Sequence, residues 1–114
     1  MKQREIWLVN LDPTLGAEIS KTRPALIVSA DEMGILPLRI IAPITDAKPH
    51  YLNVPWLVEL APTRANGLKK KSVVDLFQVR SVSSQRLVKK WGLIQTEEFE
   101  HVMQALQQVF GMRV

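Results

Sequence analysis

Cysteine is absent from this 114-residue sequence. That absence excludes a disulfide scaffold, a thiolate zinc site and a cysteine nucleophile. Histidine is scarce: the two residues, His50 and His101, are far apart, so no histidine-based metal centre and no metal cofactor are expected. No apolar run approaches the roughly eighteen residues of a membrane-spanning helix. The apolar stretch Ile6 to Val9, behind the charged Met1-Lys2-Gln3-Arg4, is too short for the core of a signal peptide. A soluble, cytoplasmic protein with no membrane partner is the expectation. A P-loop, a Rossmann glycine pattern, a histidine–glutamate zinc motif and a Ser-His-Asp spacing are all missing, as are repeats and linkers. Residues 1–114 therefore read as a single domain.

Hydrophobic residues make up 46% of the chain, enough for a core, but a modest one of the kind that often leans on a partner subunit. The net charge is +4 and unevenly spread. From Thr96 onward there are three acids (Glu97, Glu98, Glu100) and one base (Arg113), which leaves 14 bases against 8 acids in the rest. That excess suits a polyanion such as nucleic acid, and equally a merely solubilising surface.

Short β-branched and aromatic runs separated by turn residues predict strands at 4–11, 25–28, 38–44, 53–60, 72–82 and 88–94. Pro55 makes the fourth an edge or bulged strand. In the fifth, Val73, Asp75, Phe77 and Val79 alternate with Val74, Leu76, Gln78 and Arg80 on opposite faces. Asn66-Gly67 reads as a hairpin turn, followed by a solvated Lys69-Lys70-Lys71. The period then changes. Phe99, Val102, Met103, Leu106, Val109 and Phe110 share one helix face, with Thr96 as N-cap, Glu97 and Glu98 on the positive end of the dipole and Gly111 as terminator. The stripe reads as core or subunit interface. Short strands closed by one helix predict a mainly β fold, a small, partly open antiparallel barrel.

The segment Leu11 to Pro24 is long for a loop in so small a domain, and such loops are often functional. Arg23 precedes Pro24 and is therefore held extended. A guanidinium positioned this way suits bidentate phosphate binding; pairing with Asp12 or Glu18 to staple the loop is the structural alternative. Thr45 taken alone reads as a turn cap, and Phe77 as core or as a ring able to stack on a base. His50 and Tyr51 could also stack.

The block Glu5-Ile6-Trp7-Leu8-Val9-Asn10-Leu11-Asp12-Pro13-Thr14-Leu15-Gly16-Ala17-Glu18, followed by Lys21-Thr22-Arg23-Pro24-Ala25, resembles the opening of the MazF/PemK/Kid toxin family. Ala42-Pro43-Ile44-Thr45, Asn66-Gly67-Leu68, Gln78-Val79-Arg80 and the closing helix continue the likeness in order. The resemblance implies an SH3-like barrel related to the CcdB fold with a C-terminal helix, assembled as a homodimer. It implies a metal-independent, cofactor-free endoribonuclease that cuts single-stranded RNA at short sequences. The RNA's own 2′-hydroxyl attacks, leaving 2′,3′-cyclic phosphate and 5′-hydroxyl ends, and a MazE-like antitoxin holds the toxin in check. By position, Arg23 and Thr45 match the catalytic arginine and threonine, and Glu18 matches a loop glutamate that could accept a proton. Many relatives carry an acid where this chain has Phe77. Asp75, two residues earlier and on the same face of the expected strand, is the substitute carboxylate, roughly 6.5 Å away along the strand. Lys21, Lys48, Gln78 and Arg80 are the candidates to contact the RNA strand. A catalytically weak SH3-like binding module and a CcdB-like gyrase poison are the alternatives. The second is disfavoured because Trp91-Gly92-Leu93 is internal rather than terminal.

Overall fold

The computed structural model describes residues 1–112, so Arg113, counted in the charge of the tail, and Val114 lie outside the described residues. Seven strands precede one helix: β1 (Glu5–Asn10), β2 (Thr22–Ile27), β3 (Leu38–Asp46), β4 (Leu57–Leu60), β5 (Ser72–Asp75), β6 (Arg80–Ser83), β7 (Leu87–Leu93) and α1 (Thr96–Val109). Every pairing is antiparallel. The order is β4-β5-β3-β2-β1-β7, with β6 also on β3. This is the mainly β architecture with a closing helix that the turn spacing predicts. No helix among the described residues is long and apolar enough to cross a membrane.

β3 organises the sheet. Its start pairs with β6, its middle with β2 and its end with β5, so the sheet wraps around the core rather than lying open. Both faces of β2 are buried: Leu26 enters the cluster that includes Ile6, Ile44 and Val74, whereas Ala25 and Ile27 enter a second one with Val9, Ile41 and Val82. Double burial accounts for the unbroken Ala25-Leu26-Ile27-Val28 run in place of an alternating pattern. β2 also begins earlier than the sequence suggests. Pro24 lies opposite Leu8 of β1, beyond the stretch paired with β3, so its missing N–H interrupts no ladder on that side.

The expected strand 72–82 is two strands and a turn. Ile44 pairs with Val74 and Ile41 with Arg80. Over that interval β3 advances three residues and its neighbour six. The surplus of three is taken up by a single 3₁₀ turn, Leu76–Gln78. The Asp75 carboxylate accepts the Phe77 N–H at 3.0 Å, a local bond that competes with the ladder. Leu76 is fully buried and Phe77 is 67% exposed, so Phe77 is not core and Asp75 shares no strand face with it. The fourth strand starts at Leu57, leaving Pro55 in the turn before it. Asn66-Gly67 is no two-residue hairpin. Asn66 is buried, bonding Ala61, Thr63 and Leu68, and its backbone lies so close to Gly92 that a Cβ there would collide with it.

In α1, Phe99, Val102, Ala105 and Leu106 pack onto the barrel. These four close the chain's own core, whereas Met103 and Phe110 of the same stripe are exposed. Among the exposed apolar residues, Met33, Ile35, Leu36, Leu38 and Ile40 cluster in the chain before and within β3. Gln95, not Thr96, is the N-cap, in a reciprocal capping box with Glu98, and Gly111 follows the helix at φ +67°.

Glu5 ties the N-terminal turn and β1 to β7. Its buried carboxylate accepts the Lys2 N–H (2.9 Å) and the Trp7 indole N–H (2.9 Å), and it pairs with Lys90 (3.0 Å). Burial alone would raise its pKa. These bonds outweigh burial and bring it from 4.5 down to about 2. A depressed carboxylate stabilises the fold above its unfolded pKa, and that contribution is lost as pH falls through the folded value. Glu5→Gln is expected to cost about 2–3 kcal/mol at pH 7. In urea titrations its deficit relative to the parent should shrink between pH 4.5 and about 2.

Candidate active site

The long loop between β1 and β2 is held down along its whole length. Leu11 N–H reaches Lys21 O at 2.9 Å across its neck. Asp12 accepts the Lys21 N–H (3.0 Å) and the Thr14 hydroxyl (3.3 Å), and Glu18 accepts the Leu15 N–H (2.6 Å). Gln78, at the end of the 3₁₀ turn, clamps the far limb: its Oε1 accepts the Ile19 N–H at 2.7 Å and its Nε2 donates to Ala17 O at 3.3 Å. Arg80 donates to Leu11 O at 3.0 Å, and Arg86 to the carbonyls of Asn10 and Asp12. Gln78 and Arg80, expected to touch a nucleic-acid strand, are thus engaged in fixing the loop. Such partners 59 or more residues away leave no local trace in the sequence.

Arg23 leaves this loop on β2. The β2–β3 register ends at Ala25 opposite Pro43. The pairing stops two residues short of Arg23 on β2 and of Thr45 on β3. Arg23 is half-buried and its Nε donates to Ser20 O at 3.3 Å. Asp12 and Glu18, the two carboxylates that could have stapled it, bond backbone groups instead, and no ion pair among the described residues involves Arg23. Its guanidinium is therefore open to an anion.

Thr45 pairs with Val73 on β5, and Asp75, two residues on, is its diagonal neighbour on that face. Both line an open cavity of about 410 Å³ together with Gln78, His50, Tyr51 and Trp56. Burial raises the Asp75 pKa above 3.8, against the hydrogen bonds from Phe77 and Gln78. A hollow of about 220 Å³ adjoins it, sharing Ile19 and Gln78, and holds Glu18, Phe77 and Arg80. Arg23 lines neither hollow. The structure thus places Asp75 beside Thr45 and Glu18 in the neighbouring space. Lys21 and Lys48 are exposed and without a carboxylate partner among the described residues, whereas Lys70 and Lys71 pair with Asp46 (2.9 Å) and Glu59 (3.1 Å). Trp56 carries no distinguishing mark in the sequence, where it lies inside an apparent strand. The adjacent Pro55 and Asn53, a turn residue at φ 63°, were the available signal. No group of three or more histidines, aspartates or glutamates among the described residues could hold a metal ion.

The family described as PemK-like, MazF-like toxin of type II toxin-antitoxin system matches residues 2–110. Endoribonuclease MazF9 of Mycobacterium tuberculosis (strain ATCC 25618 / H37Rv) is 31% identical over 111 residues, covering 94% of this chain and 93% of that protein. Endoribonuclease EndoA of Bacillus subtilis (strain 168) is 32% identical over 108 residues, covering 94% and 91%. A solved endoribonuclease in complex with its cognate antitoxin, from Mycobacterial species, shares the fold with a TM-score of 0.79 at 15% identity, over 100% of this chain and 98% of that one. A match running from the first strand to the end of the helix, on a barrel of the same architecture, makes this chain a member of the PemK-like, MazF-like toxins of type II toxin–antitoxin systems.

Proposed function

We propose that this chain is a sequence-specific endoribonuclease toxin that cuts single-stranded RNA without a metal ion, works as a homodimer and is restrained by a cognate MazE-like antitoxin. The observation that carries the reading is the Arg23 guanidinium, without a carboxylate partner among the described residues, on β2 beside the strand that carries Thr45, with the Asp75 carboxylate diagonal to Thr45. Such an arrangement offers a fork of N–H donors, a hydroxyl and a proton acceptor to one phosphate. In the reaction the RNA 2′-oxygen bonds to the adjacent phosphorus while the bond from phosphorus to the 5′-oxygen breaks. The 2′-hydroxyl proton passes to a carboxylate, and the leaving 5′-oxygen takes a proton from the Arg23 guanidinium, which recovers it from water. Arg23 stabilises the charge that builds on the phosphate oxygens, Thr45 donates a hydrogen bond to the same group, and Asp75 takes the proton. Asp75 is favoured over Glu18 because it shares a cavity with Thr45, whereas Glu18 is turned back onto Leu15. Because the nucleophile belongs to the substrate, positioning and electrostatics supply the catalysis. Lys21 and Lys48 remain the cations available to draw in the strand.

Digestion of a long unstructured RNA in EDTA, with end mapping, is expected to give 2′,3′-cyclic phosphate and 5′-hydroxyl termini. Cutting that stops with chelator and returns with Mg²⁺ would remove the substrate-assisted scheme. Loss of the Arg23 donor should cost on the order of a hundredfold in single-turnover cleavage. Arg23→Lys should fall nearly as far as Arg23→Ala, since lysine lacks the planar fork, and neither should shift the melting temperature much. An Arg23→Ala protein that melts early yet cuts at the parental rate would make Arg23 structural.

Asp75→Asn keeps the oxygen that accepts the Phe77 N–H but loses the base, and should cut about a hundredfold more slowly. A base acts when ionised, so parental activity should decline as pH falls through an apparent pKa above 3.8. That acid limb should be missing from Asp75→Asn and present in Glu18→Gln; the reverse would transfer the role to Glu18.

A further inference from the structure

Two large rings stand in solvent at the rim of the candidate site. Phe77 is 67% exposed and Trp56 42%. Their centroids are 6.0 Å apart and their planes meet at 67°, so together they form an open corner. Trp56 belongs to the cavity of Thr45 and Asp75, and Phe77 to the adjoining hollow of Glu18 and Arg80. Behind the corner, Val109 and Gln108 of α1 complete a small hollow of about 150 Å³. Neither ring hangs on a loose segment. Trp56 O accepts the Leu76 N–H at 2.9 Å, Asp75 accepts the Phe77 N–H at 3.0 Å, and Leu76 between them is fully buried. The same turn that buries Leu76 therefore fixes Phe77 outward. Exposed aromatic rings held by three such restraints, next to a phosphate-binding face, are placed for a ligand that carries both charge and a flat apolar surface.

We propose that the Trp56–Phe77 corner is a stacking platform for a nucleobase next to the phosphate held by Arg23 and Thr45. The inference rests on the ribonuclease reading and adds a binding subsite to it. A base lying on one ring presents its edge to the other, an arrangement that the 67° angle allows and that aromatic pairs prefer. Every base has a π-face, so such a platform holds a strand without choosing its sequence. Charge agrees with this occupant. Arg23, Lys21 and Lys48 have no carboxylate partner among the described residues, and they would meet the phosphates while the rings meet the bases. Phe77 itself adds no negative charge to repel the strand.

The test is direct binding, which needs no cleavage. A random-sequence pool of single-stranded 2′-O-methyl RNA, which lacks the attacking hydroxyl, is titrated by fluorescence anisotropy beside an abasic 2′-O-methyl oligomer of equal length. Phe77→Ala and Phe77→Leu should each bind the pool about tenfold more weakly than the parent, and Phe77→Trp should bind it as well as the parent. All four proteins should bind the abasic oligomer alike. Phe77 is exposed, so melting temperatures should agree within a few degrees. Parental binding by Phe77→Leu would mean that apolar contact suffices, and would overturn stacking. Unchanged RNA binding by Phe77→Ala together with weakened binding of the purified antitoxin would overturn it too, making the corner a protein-docking surface. If Phe77 variants bind like a parent that cleaves RNA normally, this inference falls and the ribonuclease reading stands. A parent that neither binds the pool nor cuts RNA would sink both.

Discussion

The mismatch of three residues between β3 and its neighbour chain is the constraint from which the site follows. Val74 opposite Ile44 and Arg80 opposite Ile41 cannot be joined by an extended strand, so the chain must leave the ladder between them. Asp75 makes the exit specific by capping the turn. Three consecutive side chains then go three ways. Leu76 enters the core, Phe77 faces solvent and Gln78 reaches across to the β1–β2 loop. An in-register strand would have sent these residues alternately to two faces, and the loop would have lost its clamp. The loop in turn sets the path along which Arg23 enters β2.

The +4 net charge gives a poor picture of how the cations are used. Arg80 and Arg86 bond loop carbonyls, Arg4 bonds Ile94 O, and Arg39 bonds Met1, Leu36 and Leu38. These guanidiniums are engaged as donors to backbone oxygens. Arg23 differs from them. Its single bond to Ser20 leaves the rest of the fork unengaged, and the nearby carboxylates are occupied by backbone N–H groups. Near the candidate site, Arg23 and the exposed Lys21 and Lys48 are without a carboxylate partner among the described residues.

Helix and strands differ in how openly the sequence displays them. The face of α1 was readable because period 3.6 is a local property, and Phe99, Val102 and Leu106 do line the core. That Phe99, Val102 and Leu106 close this chain's own barrel while Met103 and Phe110 stay exposed depends on what the barrel leaves uncovered, which no periodicity reveals. The apolar runs of β1 to β4 are legible as strands, although β2 starts at Thr22 and β4 at Leu57, a few residues from where the runs place them. The block 72–82 misled because Val74 and Leu76 are both buried, as in a continuous strand, across a point where the backbone has already turned.

The sequence by itself determined the element types, the closing helix, the positional likeness of Arg23 and Thr45 to the toxin family, and the lack of cysteine or clustered histidine for other chemistries. These depend on residue identity and on spacing along the chain. Only the tertiary structure decided that Arg23 has no carboxylate partner among the described residues, that Asp75 rather than Glu18 adjoins Thr45, that Gln78 and Arg80 serve the loop, and that Phe77 and Trp56 meet in solvent. Each of these depends on register across β3 or on contacts between residues tens of positions apart, and pairing partners are selected by the packing of the whole barrel rather than by any local segment.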